Sequence, residues 1–200
     1  IKAGMVDFSC NTLVNYNGTW WKVENGKICL NSNTVTEFNG SWWKITNGRV
    51  DFDFSGLAEN AYGWWKITNG QVDFGYVGYE QNGSNWWYVY GGQVCFQATD
   101  VLPGTVGGQY GWWKVCEGKV NFDDDVCENT YGWWKIITGK VDFQYTGLAQ
   151  NACGWWMIQN GHVNFGSNGL VDNGNGWWLV RNGGVDFNYN GLVDNGNGWG

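Results

Sequence analysis

The chain has 200 residues, 33 of them glycine, one proline and 17 tryptophans, with 18% aromatic and 14% charged side chains. Its 18 acidic against 11 basic residues leave a formal charge of −7, so a phosphate backbone is repelled and the aromatics are not a nucleic-acid stacking platform. No stretch approaches the ~18 consecutive apolar residues of a membrane span, and helix formers are scarce beside Trp, Tyr, Phe, Val, Ile, Asn and Gly, a composition of short strands and tight turns.

Along the chain, GMVDF at Gly4 to Phe8 reads as the second half of a repeat that lacks its Trp pair. Trp doublets then open at Trp20, Trp42, Trp64, Trp86, Trp112, Trp133, Trp155 and Trp177, and Trp199 opens a ninth repeat. The steps are 22, 22, 22, 26, 21, 22, 22 and 22 residues. A fixed period of this length marks stacked supersecondary units. The clearest copy is WWKITNGRVDFDFSGLAENAYG at residues 42–63, echoed by WWKITNGQVDF at 64–74, WWKIITGKVDF at 133–143 and WWLVRNGGVDF at 177–187. The 96–111 segment, FQATDVLPGTVGGQYG, lengthens one connection and holds Pro103. The domain reading is one array, 1–200, of about nine hairpins with an irregular insertion at 97–111 as a bend. The tails, such as GLAEN and GLVDNGNG, read as turn-rich and weakly patterned. Beginning at Ile1 and ending within a repeat at Gly200, the chain reads as a processed product or a piece of a longer array.

Asn47-Gly48, Asn69-Gly70 and Asn182-Gly183 lie between short apolar-rich runs, the strongest short-range hairpin signal, because both central residues of a type I′ turn need φ > 0. A two-residue turn at Asn47-Gly48 sets Ile45 opposite Val50, Lys44 opposite Asp51 and Trp43 opposite Phe52. Strand alternation then puts Trp43, Ile45, Val50 and Phe52 on one face and Trp42, Lys44, Asp51 and Asp53 on the other. Lys66 with Asp73 and Lys135 with Asp142 repeat the cross-strand pair. The second Trp of each doublet (Trp43, Trp65, Trp134, Trp178) is expected in the core. The first (Trp42, Trp64, Trp133, Trp177) is expected on the polar, more exposed side. Lone hairpins are marginal in water, so the expected fold is all-β, a repeat protein built as a β-hairpin solenoid or superhelix of ~22-residue units.

Six cysteines, Cys10, Cys29, Cys95, Cys116, Cys127 and Cys153, fit no CxxC metal pattern. Their even number in an all-β chain points to disulfides and an oxidising compartment. Separations of 19, 21 and 26 residues within Cys10–Cys29, Cys95–Cys116 and Cys127–Cys153, each about one period, favour these sequential pairs. Catalysis is not expected. His162, the one histidine, stands at a variable turn position and reads as a solvated turn residue. Asp51, Asp73, Asp142 and Asp186 recur with the repeat, as structural residues do. Asp123-Asp124-Asp125 and the DNGNG stretches at Asp172 and Asp194 read as polar turns, without the spacing of a known Ca²⁺ loop. No catalytic residue, cofactor or metal site is assigned.

The phrase GWWK-x-x-NG-x-V-D-F resembles the cell-wall-binding repeats of Gram-positive surface proteins, of which choline-binding and glucan-binding modules are members. The resemblance covers essentially the whole chain. It implies that the Trp after Gly helps form a ligand site between consecutive hairpins, and this selects Trp64, Trp112, Trp133, Trp155 and Trp177. The family's second strand usually brings two or three aromatics, whereas here it reads V-D-F or V-N-F. A quaternary-ammonium cage needs several aromatic faces, so the departure turns the expected ligand toward carbohydrate. The resulting expectation is a non-catalytic module, secreted or at the cell surface, that holds a cell-wall polymer or polysaccharide through a ladder of exposed Trp. The alternative is a structural stalk or fibre subunit whose ladder only packs, with self-association through end repeats.

Overall fold

In a computed structural model, residues 4–194 are described; Trp199 and the ninth repeat it opens lie outside them. The chain divides into two compact units, residues 1–96 and 97–200. Among the described residues there are 24 strands and no helix.

In the first unit the repeat has three strands, not two. Gly56–Asn60 pairs antiparallel with Gly63–Thr68, which carries the Trp doublet, and Gly63–Thr68 pairs with the two-residue strand Gln71–Val72. The tail GLAEN, expected as a turn, is therefore the first strand of the longer hairpin. With no β-branched or aromatic residue it carries no strand signal, because its stability comes from pairing with the Trp strand and not from local propensity.

The Asn-Gly turns are as expected. Asn47 and Gly48 sit at φ 49° and 77°, and Ile45 faces Val50 with Thr46 opposite Arg49. The Asp51 N–H donates to the Lys44 carbonyl at 2.9 Å, which continues the register to the Lys–Asp pair. The turn also performs the stacking. At Asn69-Gly70, the Gly70 N–H donates to Phe54 O at 2.8 Å, and Gly70 O accepts from the Lys44 N–H at 2.8 Å. A Cβ on Gly70 would stand 2.5 Å from Asp51 O and 2.7 Å from the Phe52 Cα. Glycine is thus required there both by φ and by the previous repeat's backbone.

The core of this unit is a file of one residue per repeat, the fourth of W-W-K-I. Val23, Ile45, Ile67 and Val89 are 8%, 0%, 0% and 0% exposed, with Leu13, Val35, Ala58 and Tyr79 of the tail strands beside them. Each such side chain contributes about 1.5–3 kcal/mol by leaving water.

The second unit repeats the pattern with Val115, Ile136, Ile158 and Val180 at 0–1% exposure. Residues of the 97–111 insertion form a long hairpin arm here. Asp100–Val106 pairs with Gln109–Cys116, and Pro103 lies opposite Trp112.

Two expectations are corrected. The recurring lysines do not meet the aspartates opposite them as ion pairs. The Lys44 and Lys135 ammonium groups lie 5.4 and 5.8 Å from the ring centroids of Phe54 and Tyr145, and Lys66 pairs with Glu80 at 2.8 Å. The aspartates instead cap the turn that follows: Asp73, Asp142 and Asp186 accept from the N–H groups of Gly75, Gln144 and Asn188 at 3.1, 2.9 and 3.0 Å. This local bond is the ordinary preference of Asp at a turn.

The expected disulfides are not formed; all six cysteines are free. Cysteines about one period apart fall at different places within the repeat. Cys127 stands on a strand opposite Trp134, for example, while Cys153 is at an exposed hairpin tip. Similar sequence separation therefore does not bring the two side chains face to face.

Candidate functional site

Aromatic rings converge between consecutive repeats, and each cluster draws its walls from two hairpins. In the first unit, Trp42 meets Trp65 and Phe74 of the next repeat at ring-centroid distances of 4.9 and 6.1 Å. Trp65 and Phe74 are 5.8 Å apart. Trp64 meets Trp87 and Phe96 in the same way, at 5.6 and 6.0 Å. In the second unit Trp112 meets Trp134 and Phe143 at 5.3 and 6.0 Å, and Trp133 meets Trp156 and Phe165 at 5.1 and 6.1 Å. The same rule holds in these four clusters: the first Trp of one repeat, then the second Trp of the next and the phenylalanine that ends its V-x-F. The phenylalanines stay open to solvent, with Phe74 at 48% and Phe143 at 43% exposure.

Two clusters gain a fourth ring from the hairpin tip. Tyr62 lies 5.8 Å from Trp42, and Tyr131 lies 5.5 Å from Trp112. At the Trp20 site the fourth ring is Phe38, 5.4 Å from Trp20. Trp20, Phe38, Trp43 and Phe52, with Leu13 and Val50, enclose an apolar cavity of about 130 Å³.

Four of the eight first Trp residues face a carboxylate across the strand pair, while Trp20, Trp86, Trp112 and Trp155 face Asn15, Gln81, Pro103 and Gln150. Strand register sets Glu37 opposite Trp42, Glu59 opposite Trp64, Glu128 opposite Trp133 and Asp172 opposite Trp177. The Trp64 indole N–H donates to a Glu59 carboxylate oxygen at 2.8 Å. Several electron-rich faces beside carboxylates are the chemistry that attracts a cation carrying apolar substituents.

Of the five Trp residues expected to bind, Trp64, Trp112 and Trp133 are walls of these clusters. Trp155 is half-buried opposite Gln150. Trp177, at 55% exposure, lines a groove with Trp178, Phe187 and Tyr189. Trp20 and Trp42 fall outside the Gly-Trp pattern because Thr19 and Ser41 precede them; the doublet itself is the better signal.

The expected division of each doublet holds only in part. Trp65 and Trp113 are buried at 9% and 5%, but Trp43 and Trp134 are half-buried and Trp178 is 37% exposed. Trp42, Trp64 and Trp133 are half-buried as well, because the next repeat's rings cover them. The second Trp stands at the rim of the sheet, where its cover is the variable residue after a later turn. The Arg49 guanidinium lies 4.5 Å from the Trp21 centroid, the Lys140 ammonium 5.7 Å from that of Trp113, and the His162 ring 4.9 Å from that of Trp134. His162 is thus a packing residue against a cluster wall and not a solvated turn residue.

Away from the clusters, burial pulls the Lys114 ammonium down, but its bond to Asp125 at 2.7 Å outweighs this and holds it above its ordinary range. Burial raises Asp125, and the bonds from Lys114 and from the Val126 N–H outweigh it, so its carboxyl sits below 3.8. Burial first, and then the Asp125 charge, push the Cys127 thiol up to about 12.

The profile of the choline-binding repeat matches residues 10–29, 31–51, 53–73, 144–164 and 166–186. No curated protein sequence matches the chain. Among solved structures, CbpJ from Streptococcus pneumoniae TIGR4 is similar at 13% identity and a TM-score of 0.35 over 88% of this chain and 57% of that one. Choline binding protein F from Streptococcus pneumoniae is similar at 15% identity and a TM-score of 0.39 over 90% and 60%. The chain therefore spans less than two thirds of either protein.

Proposed function

The chain belongs to the choline-binding repeat family, and from that premise we propose that its aromatic clusters hold the trimethylammonium groups of a choline-bearing cell-wall polymer. The observation that carries the reading is the convergence of Trp42, Trp65, Phe74 and Tyr62 next to a strand bearing Glu37. Faces of three or four rings supply cation–π attraction of roughly 0.5–2 kcal/mol each, and the carboxylates add a favourable field. A neutral sugar gains nothing from that charge, so choline is favoured over the carbohydrate suggested by the short V-D-F strand. The missing rings are supplied by the neighbouring repeat and the hairpin tip.

On this reading Trp64, Trp112 and Trp133 bind as first walls, joined by Trp20 and Trp42, while Trp155 and Trp177 serve the last hairpins. The module is non-catalytic and works at the cell surface. Each site is weak, and repetition along one chain supplies retention through avidity. A pure stalk requires no carboxylates beside its Trp ladder and no open phenylalanine faces.

The test is retention on a choline-derivatised resin with elution by free choline, followed by Trp42→Ala, Trp112→Ala and the double variant. Retention that falls stepwise while the chain stays folded supports the reading. A wild-type chain that passes through the resin, or is held but not released by choline, rejects it.

A further inference from the structure

One asparagine makes the same three bonds in three repeats. The Trp65 indole N–H and the Tyr62 N–H both donate to Asn60 Oδ1, at 3.0 and 2.9 Å, while Asn60 Nδ2 donates to Val35 O at 3.2 Å. Asn129 does so with Trp134, Tyr131 and Val101 at 2.9, 2.9 and 3.1 Å. Asn151 does so with Trp156, Cys153 and Val126, each at 2.9 Å.

The carbonyl at the far end belongs to the preceding repeat. Val35, Val101 and Val126 lie opposite Lys44, Lys114 and Lys135, each two residues after the first Trp of its cluster. A single side chain therefore ties the second Trp and the hairpin tip of one repeat to the strand pair that carries the first Trp of the repeat before. All three bonds are local to one cluster. They restrain the indole ring, whose χ angles would otherwise be set by packing alone.

The chain supplies its own comparison. In the repeat that carries Trp43, the equivalent place is occupied by Phe38, which has no group to offer the indole. There Phe38 lies against Trp20 and lines a cavity with Trp20, Trp43 and Phe52, as Asn129 also does with Trp112, Tyr131 and Trp134. Where the asparagine is present, the two Trp rings stand in direct contact at 4.9, 5.3 and 5.1 Å.

We propose that Asn60, Asn129 and Asn151 are positioning residues that fix the second-Trp wall against the first, so that three sites depend on an asparagine and the Trp20 site on a fourth ring instead. This rests on the choline reading of the clusters, and the experiment separates the two. The full chain, with ¹⁵N-labelled indoles, is titrated with choline as wild type, Asn60→Ala and Asn60→Asp. In the free protein Asn60→Ala should shift the Trp65 indole N–H resonance, because its acceptor is gone, while Asn60→Asp keeps an acceptor and keeps the resonance near its wild-type place. Choline affinity at the Trp42–Trp65 site should fall roughly tenfold in Asn60→Ala, the equivalent of one lost neutral hydrogen bond in the wall. The Trp20–Trp43 site in the same unit should keep its affinity, which a general loss of structure would not allow. An Asn60→Ala chain with an unmoved Trp65 resonance and unchanged affinity overturns the proposal. So does a shift of the Trp65 resonance in Asn60→Asp as large as that in Asn60→Ala. A wild-type chain that binds no choline overturns the functional reading instead, and the indole shift still reports whether Asn60 holds Trp65.

Discussion

Gly70 and Gly40 follow asparagines in turns of one type, at φ 79° and 76°, yet alanine should affect them very differently. At Gly40, on a hairpin tip, an added Cβ meets nothing within 4 Å. Gly40→Ala should therefore cost only the left-handed conformation, about 1–2 kcal/mol. At Gly70 the same cost applies, and the Cβ also comes 2.5 Å from Asp51 O and 2.7 Å from the Phe52 Cα. Both are backbone atoms of the previous repeat and cannot rotate aside. Displacing them is an overpacking cost of about 1–3 kcal/mol more, so Gly70→Ala should lose about 2–5 kcal/mol in all. The displaced Phe52 is a wall of the Trp20–Trp43 cluster, so choline affinity there should weaken in Gly70→Ala and not in Gly40→Ala. Urea unfolding at unchanged slope measures the first effect, and choline titration the second. Equal destabilisation by the two substitutions would refute the argument that the turn seats on its neighbour's backbone.

Ile67→Ala, at a position with 0% exposure, should cost about 2–5 kcal/mol in the same assay, and because Ile67 shares a packed core with Trp65 and Trp42 it should also weaken choline binding at the Trp42–Trp65 site. Because Asp125 is held below 3.8, its contribution to stability is complete above that value and is lost as pH falls through the lower folded-state value. Urea midpoints at pH 6 and pH 3 should accordingly differ less in Asp125→Asn than in wild type. Thiol alkylation near pH 8, followed by mass spectrometry, should modify the exposed Cys153 well before Cys127, whose pKa of about 12 leaves almost no thiolate; comparable rates would contradict the burial assigned to Cys127.

The period, the Asn47-Gly48 register and the inward W-W-K-I residue were legible because each is a local rule: a turn that demands positive φ, and strand alternation. The tail strand Gly56–Asn60 was not, since its order derives from pairing with Gly63–Thr68, a contact that propensity does not encode. The aromatic site was half legible. Alternation separates the two Trp side chains of one doublet, but the rings that meet, Trp42 with Trp65 and Phe74, belong to different repeats. Knowing them requires the stacking offset. The same offset defeated the cysteine pairing, where similar separation stood in for contact. Asn60 carried a signal, its recurrence as Asn129 and Asn151 at one place in the repeat, that reads as an ordinary turn residue until its partners are known.

Because each cluster straddles a boundary, the 22-residue repeat and the binding site are out of phase. A repeat such as residues 42–63 gives Trp42 to one site and Trp43 with Phe52 to another. Exchanging one repeat for another therefore rewrites two neighbouring sites at once, half of each. Variation among repeats is inherited as combinations of adjoining halves, and two arrays with the same repeats in a different order would carry different sites.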